Sequence, residues 1–303
     1  AKIVEDNREE LELPDDVSID ETSKQWRWPF LVQERVSGWC LNQIFKDFKR
    51  KNIELDQTAA WLGRVVREIH NTPLNIDQEE DSERKFASFL EASSNKQYLK
   101  VMNSELSNIS TRLSIEDQLL PFEEFMERFK NLSKKWHPSL CLLHGDLNSE
   151  NLMGKIPENF QDQISDGPGE GSSSCRPIKA FVRRQTQRLE LDAPQLKEKI
   201  HFEPTGVIDF GDSRLGYWLY DLVPIHTNIF TCDKELLEIF LKNYNRDVFD
   251  TLNREDLKEF ALIMMQLTLI FDANPLRYIV KYHSESLDRM SSFLEISKFI
   301  WEF

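Results

Sequence analysis

The chain has 303 residues, 40% of them hydrophobic, enough to bury a sizeable core in one large domain or two. Its 52 acidic and 38 basic side chains leave a formal charge of −14, which argues against nucleic acid or an anionic membrane as the main partner, since both demand clustered Lys and Arg. Phosphate ligands stay open, because a bound magnesium ion can supply the missing positive charge.

Cys40, Cys141, Cys175 and Cys232 stand singly, with no C-x-x-C. That pattern predicts reduced thiols in a cytoplasmic or nuclear setting and no zinc site. The opening residues, AKIVEDNREE, are too charged for a signal peptide. The longest apolar run, Ala261 to Phe271, is broken by Gln266 and Thr268 and is too short to span a bilayer. A soluble chain is expected.

In chain order, residues 1–28 read as an acidic, irregular segment. Phe30 to Val36 reads as a short strand ended by Ser37-Gly38. In DQTAAWLGRVVREIHNTP, Ala59, Leu62, Val65, Val66 and Ile69 recur at helical spacing, and Pro73 closes the segment. A polar stretch to about Ser114 predicts no definite element. PFEEFMERFKNLSKKW is an amphipathic helix with Phe122, Phe125, Met126, Phe129 and Leu132 on one face. Next comes LLHGDLNSENLM, Leu142 to Met153, whose greasy ends enclose an acid and an amide.

Residues 155–204 change character: SDGPGEGSSSCRP is flexible by composition and FVRRQTQR is locally basic. PTGVIDFGDSRLGYWLYDLVPI then predicts a strand, Gly206 to Phe210, and a glycine-bearing turn. Lys234 to Phe303 reads as three or four amphipathic helices. The expected class is α+β, mostly helical, with polar chemistry at the ends of short strands.

Asp146 and Asn151 have the spacing D-x-x-x-x-N. In phosphoryl transfer by kinases, the Asp of such a loop accepts or orients the hydroxyl proton of the substrate, and the Asn ligates magnesium. VIDFGD delivers Asp209 to a strand end, where a carboxylate can hold the magnesium that bridges nucleotide phosphates. Either motif alone occurs often by chance, as a turn or a cap. Together, in this order and each behind an apolar strand, they are far less accidental.

LLHGDLNSENLM resembles the H-G-D-x-x-x-x-N loop of the aminoglycoside phosphotransferase and choline kinase-like family, which has the protein-kinase-like fold. GVIDFGDSRLGYWLYDLVPI is similar to that family's metal-binding Asp and its G-x-x-x-x-D-L segment. WLGRVVREIHNTPL resembles the helix ending in Leu/Ile-His, and PFLVQERVSGWCL the hinge strand before it. The resemblance implies an ATP- and magnesium-dependent kinase acting on a small-molecule hydroxyl. Asp146 would be the base, and Asn151 and Asp209 the metal ligands. His144 would brace the loop and Asp221 steady it from beneath. Glu34, Arg35 and Val36 would meet the adenine through their backbone, and Asp212 would approach metal or substrate.

Two departures qualify the resemblance. Only 28 residues precede Pro29, without a Gly-rich loop or a strand-borne Lys, where the family has a whole N-terminal lobe. The expectation is therefore a C-terminal lobe, 29–303, behind a remnant, within a longer polypeptide that carries further domains. Little kinase activity is expected of the 303 residues alone. The second departure is the distance from Asn151 to Asp209, which places a surface excursion at about 157–202. Its Arg183, Arg184 and Arg188 read first as a solvated face and second as a site for an acidic partner. YDLVPIHTNIFTCDKELLEIFL further resembles kinase-like parts fused behind Jumonji-type oxygenases.

Two alternatives stay beside the enzyme: a non-catalytic, pseudokinase-like scaffold, and a nucleic-acid binder, which the overall charge disfavours. The remaining histidines, His70 among them, read as ordinary hydrogen-bonded or surface residues. The tryptophans read as core filler, with Trp26, Trp28 and Trp39 flanking the nucleotide cleft, and Met264-Met265 as a buried helical pair.

Overall fold

The structure, a computed structural model, describes residues 36–48, 50–73, 79–102, 119–161, 164, 199–273 and 275–303. The acidic segment 1–28, most of the expected strand at 30–36, Trp26, Trp28, Glu34, Arg35 and the basic stretch around Arg183, Arg184 and Arg188 lie outside the described residues.

Three small sheets hold the polar loops. Strand β1 (Trp39–Cys40) pairs with β4 (Leu152–Lys155), which pairs on its other side with β6 (Glu203–Val207), all antiparallel. Strand β3 (Cys141–Leu143) pairs antiparallel with β7 (Arg214–Gly216). Strand β2 (Ile53–Glu54) lies parallel to β5 (Ile200–His201). The strand expected at Gly206 to Phe210 is thus Glu203–Val207. Its ladder with β4 stops at Leu152 opposite Val207, and Asp209 has φ 63°, which an extended strand does not allow.

Around the sheets lies a mostly helical body. Helix α1 (Leu41–Asp47) follows β1 directly. Helix α2 (Asp56–His70) buries Thr58, Ala59, Leu62, Gly63, Val66 and His70, while Val65 and Ile69 are half-buried. The buried stripe therefore runs 62, 66, 70 at four-residue steps. The polar stretch before Ser114 contains a helix the composition hides, α3 (Glu79–Met102). Phe86 and Leu90, four apart, are its fully buried anchors, and Phe86 meets the rings of Phe129, Tyr217 and Tyr220. Helix α4 (Phe122–Trp136) presents Phe125, Phe129, Leu132 and Trp136 to the core, with Phe122 and Met126 at its edge.

Both ends of the 157–202 span belong to the packed body. Helix α5 (Glu158–Gln161) buries Phe160, and Ile164, Ile200 and Phe202 are buried too. The Phe202 carbonyl accepts a hydrogen bond from Thr58 Oγ1 at 3.0 Å.

Helix α6 (Leu219–Pro224) runs into a single π-helical turn, Ile225–Ile229. Helices α7 (Lys234–Tyr244), α8 (Arg246–Phe249), α9 (Arg254–Ile270), α10 (Leu276–Leu287) and α11 (Phe293–Trp301) complete the chain. Asn253 starts α9 with a reciprocal capping box to Asp256, and Met264 and Met265 sit in the core. Helices α2 and α7 come unusually close at Gly63, where a Cβ would stand 2.5 Å from the Phe240 carbonyl oxygen. That approach sets Tyr244 beside His70. Each fully buried leucine along this seam, such as Leu62 and Leu241, contributes roughly 2 kcal/mol. No helix among the described residues is long and apolar enough to cross a membrane.

Candidate active site

Because β3 pairs with β7 and β4 with β6, the loops that follow β3 and β6 emerge side by side. The first is His144 to Asn151, the second Ile208 to Ser213. Two hydrogen bonds tie them together. His144 Nε2 donates to the Ile208 carbonyl at 2.9 Å, and the Ile208 N–H donates to the Asn151 carbonyl at 3.0 Å. Gly145 closes the seam: its φ is 88°, and a Cβ on it would stand 2.2 Å from the Asp212 carbonyl oxygen. Only glycine satisfies both conditions.

The His144 imidazole is fully buried. A carbonyl partner requires hydrogen on Nε2, so Nδ1 accepts, and it does so from the Asp146 N–H at 3.3 Å. The ring also leans on Phe210, centroids 4.6 Å apart. His144 thus connects one loop's carboxylate-bearing residue to the other's backbone.

Asp146 is half-buried, and its Oδ1 accepts from Asn148 Nδ2 at 2.9 Å. Burial raises its pKa above the ordinary carboxylate range; the Asn148 hydrogen bond opposes that, and repulsion from Asp212 and Asp209 adds to it. Asn151 spends its Nδ2 on the Asp146 carbonyl at 2.8 Å, which leaves Oδ1 as an acceptor. Asp209, exposed and in the left-handed region, accepts from the Gly211 N–H at 3.4 Å. Asp212 is exposed and 4.0 Å from Arg214, whose guanidinium lies over the Phe89 ring.

Asp221, on α6, lies under the first loop. Its Oδ2 accepts the His144 N–H and its Oδ1 the Gly145 N–H, both at 2.8 Å. Burial alone would push this carboxyl up, yet the His70 hydrogen bond and charge, His144 and the Gly145 N–H hold it below the usual carboxylate range.

His70 is the residue that sequence reasoning underrated. Its Nε2 is 3.2 Å from Asp221 Oδ2 and its Nδ1 2.9 Å from the Tyr244 hydroxyl. The four-residue step from Val66 was the available signal. Of the residues expected to meet a nucleotide base, Val36 is described; it is half-buried and packs over Gly206. Trp39 is buried. A cavity of about 410 Å³ between α4 and α9, lined by residues such as Arg128, Lys258, Glu259 and Gln266, includes none of these groups.

Residues 6–159, just over half of the chain, match the sequence model of the phosphotransferase enzyme family, APH, and include Asp146 and Asn151. The chain belongs to that family. Membership agrees with the mostly helical α+β architecture and with polar loops at the ends of short strands; neither loop is a hairpin, since each joins strands of different sheets.

A lysine-specific demethylase of Arabidopsis thaliana, JMJ21, is 22% identical over 253 residues, covering 76% of this chain. The chain spans only 23% of that relative's length. Among solved structures, the aminoglycoside phosphotransferase APH(2'')-Ib bound to ADP aligns over 88% of this chain and 71% of its own, at 14% identity and a TM-score of 0.34. Plasmodium vivax ethanolamine kinase aligns over 84% of this chain and 65% of its own, at 11% identity and a TM-score of 0.39.

Proposed function

We propose that this phosphotransferase moves the γ-phosphoryl group of ATP, with magnesium, to a hydroxyl of a small molecule. One observation carries the reading. Asp146, Asn151 and Asp209 sit on two loops bonded to each other, and the charges of Asp212 and Asp209 add to burial in raising the proton affinity of Asp146. Such a group fits a divalent cation. Asn151 Oδ1 and the Asp209 carboxylate would hold it, an oxygen set of the kind magnesium takes when phosphates and water complete its shell. Bound there, the ion would neutralise charge on the β- and γ-phosphates.

Asp146 orients the attacking hydroxyl and takes its proton onto a carboxylate oxygen as the new O–P bond forms and the bond to ADP breaks. Its raised proton affinity suits that task better than an ordinary aspartate. His144 and Asp221 keep the loop in place. Glu34, Arg35 and Val36 would meet the adenine through their backbone, and Asp212 would approach metal or substrate. Residues 29–303 act as the C-terminal lobe.

Thermal stabilisation by ATP plus magnesium, saturable in wild type and lost in Asp209→Ala, tests the nucleotide site. ATP turnover of the longest natural form of the protein tests the chemistry: unchanged turnover in both Asp146→Asn and Asp209→Ala would refute the assignment.

The likeness to JMJ21, together with the YDLVPIHTNIFTCDKELLEIFL segment, supports a second proposal, that this lobe works on one polypeptide with an oxygenase domain. An immunoblot of the natural protein with antibody to this segment would then read well above 35.8 kDa. A band at that mass in all tissues would sink the idea.

A further inference from the structure

We propose that Asn228, in the π-helical turn, is a positioning residue that fixes the separation between Asp146 and Asn151. The proposal rests on the phosphotransferase reading of those two residues. Its basis is a pair of contacts at the far end of the loop from Asp221. Asn228 Oδ1 accepts the Ser149 N–H at 2.7 Å, and the Ser149 carbonyl accepts the Asn42 N–H of α1 at 2.8 Å. The backbone of Ser149 is therefore held at both its N–H and its carbonyl, and both Ser149 and Asn228 are buried. Asn42 adds a second bond, from Nδ2 to Glu150 Oε1 at 2.9 Å.

Asp221 and Asn228 stand seven residues apart on one continuous helical segment. Through its π-helical turn the segment presents a carboxylate to His144 and Gly145 and an amide oxygen to Ser149. The loop lies along that segment like a strip pinned near each end. Between the pins, Asn148 folds back: its N–H reaches the Asp146 carbonyl and its Oδ1 takes the Glu150 N–H. Asn151 then closes onto Asp146. Moving the Ser149 pin moves Asn151 relative to Asp146 without touching either side chain.

The π turn is itself held from three directions. The Phe230 N–H reaches back five residues to the Ile225 carbonyl, His226 Nε2 donates to the Ile300 carbonyl of α11, and His283 Nε2 donates to the Thr231 carbonyl. Thr231 and Cys232 both have positive φ, a conformation unfavourable for these residue types. Strained backbone and π turns gather where the chain must aim a side chain. Here the aimed group is Asn228.

The test uses Asn228→Ala, which removes the acceptor, and Asn228→Asp, which keeps it, in the 303-residue chain. Manganese binding is read by paramagnetic titration, and exchange of the Ser149 amide by hydrogen–deuterium exchange. A buried core variant distant from the loop, Met264→Ala, controls for general loss of stability. The expected result is manganese affinity roughly tenfold weaker in Asn228→Ala, restored in Asn228→Asp and unchanged in Met264→Ala. The Ser149 amide should exchange faster in Asn228→Ala alone. Wild-type affinity in Asn228→Ala overturns the proposal, as does equal weakening in Met264→Ala. If the wild type binds no manganese, the metal reading fails by itself, and the exchange result then decides: unaltered Ser149 protection in Asn228→Ala rejects the clamp.

Discussion

Asp221 and Gly145 lie 76 residues apart in the chain, yet the carboxylate of one accepts the N–H of the other at 2.8 Å. The same carboxylate takes the His144 N–H, so a single buried side chain satisfies two consecutive backbone donors that no strand partner reaches. Asp221→Asn would keep the shape but turn an amide N–H toward one of those donors. Breaking a buried, multiply bonded charge of this kind costs roughly 3 kcal/mol, and urea unfolding at neutral pH should show a loss of that order. The pH dependence has a definite sign. The folded-state pKa lies below the usual carboxylate range, so the stabilisation is present above the unfolded value and disappears as pH falls through the folded one. The gap between wild type and variant should therefore narrow on acidification; a gap that stays constant to strongly acidic pH would contradict the assignment.

Asp146 behaves in the opposite sense. Its pKa is raised by burial and by Asp212 and Asp209, so the folded state binds its proton more tightly than the unfolded chain does. Stability is then lost as pH rises from the ordinary carboxylate value through the raised one. Asp146→Asn removes that penalty. In metal-free buffer at neutral pH the variant should melt at a higher temperature than wild type, and the difference should vanish in acid. Phosphoryl transfer should meanwhile fall about 10²- to 10⁴-fold, the range for loss of a positioned base. A variant less stable than wild type at neutral pH would remove the electrostatic argument.

How much of this was visible in the residues depended on range. The helix ending at His70 and the one from Phe122 were readable because their apolar residues repeat locally every three or four positions. The loop motif around Asp146 was readable because two strands frame it. Helix α3 was not, because its buried anchors Phe86 and Leu90 stand among charged and polar neighbours. The register of β6 was misplaced because its end is set by pairing with Leu152 and by the φ of Asp209, neither of which leaves a local trace. His70 looked ordinary for a related reason: its partners, Asp221 and Tyr244, are 151 and 174 residues away.

Tyr244 gives a smaller and cleaner test of the buried relay. Its hydroxyl meets His70 Nδ1, while its ring stacks on Trp218 with centroids 4.3 Å apart. Tyr244→Phe keeps the stack and deletes one hydrogen bond, so the loss should be about 1 kcal/mol. Asp221 retains its His70 and backbone partners, so any ATP and magnesium stabilisation of wild type should persist. Loss of that ligand response with an unchanged urea midpoint would mean that Tyr244 acts on the loop by another route.

Two glycines in the paired loops separate steric closure from general loop flexibility. At Gly145 a methyl group would meet the Asp212 carbonyl at 2.2 Å and would also suffer the positive φ. At Gly211 the nearest atom to a Cβ is the Asp209 Oδ1 at 3.2 Å, a carboxylate tip that can shift, and the backbone carries no such strain. Gly145→Ala should therefore push the two loops apart. It should cost at least the roughly 1–2 kcal/mol of a left-handed alanine, and it should abolish stabilisation by ATP and magnesium. Gly211→Ala should leave the urea midpoint nearly unchanged and weaken the ligand response only modestly. Equal effects of the two substitutions would mean that the seam between Gly145 and Asp212 does not hold the two loops in register.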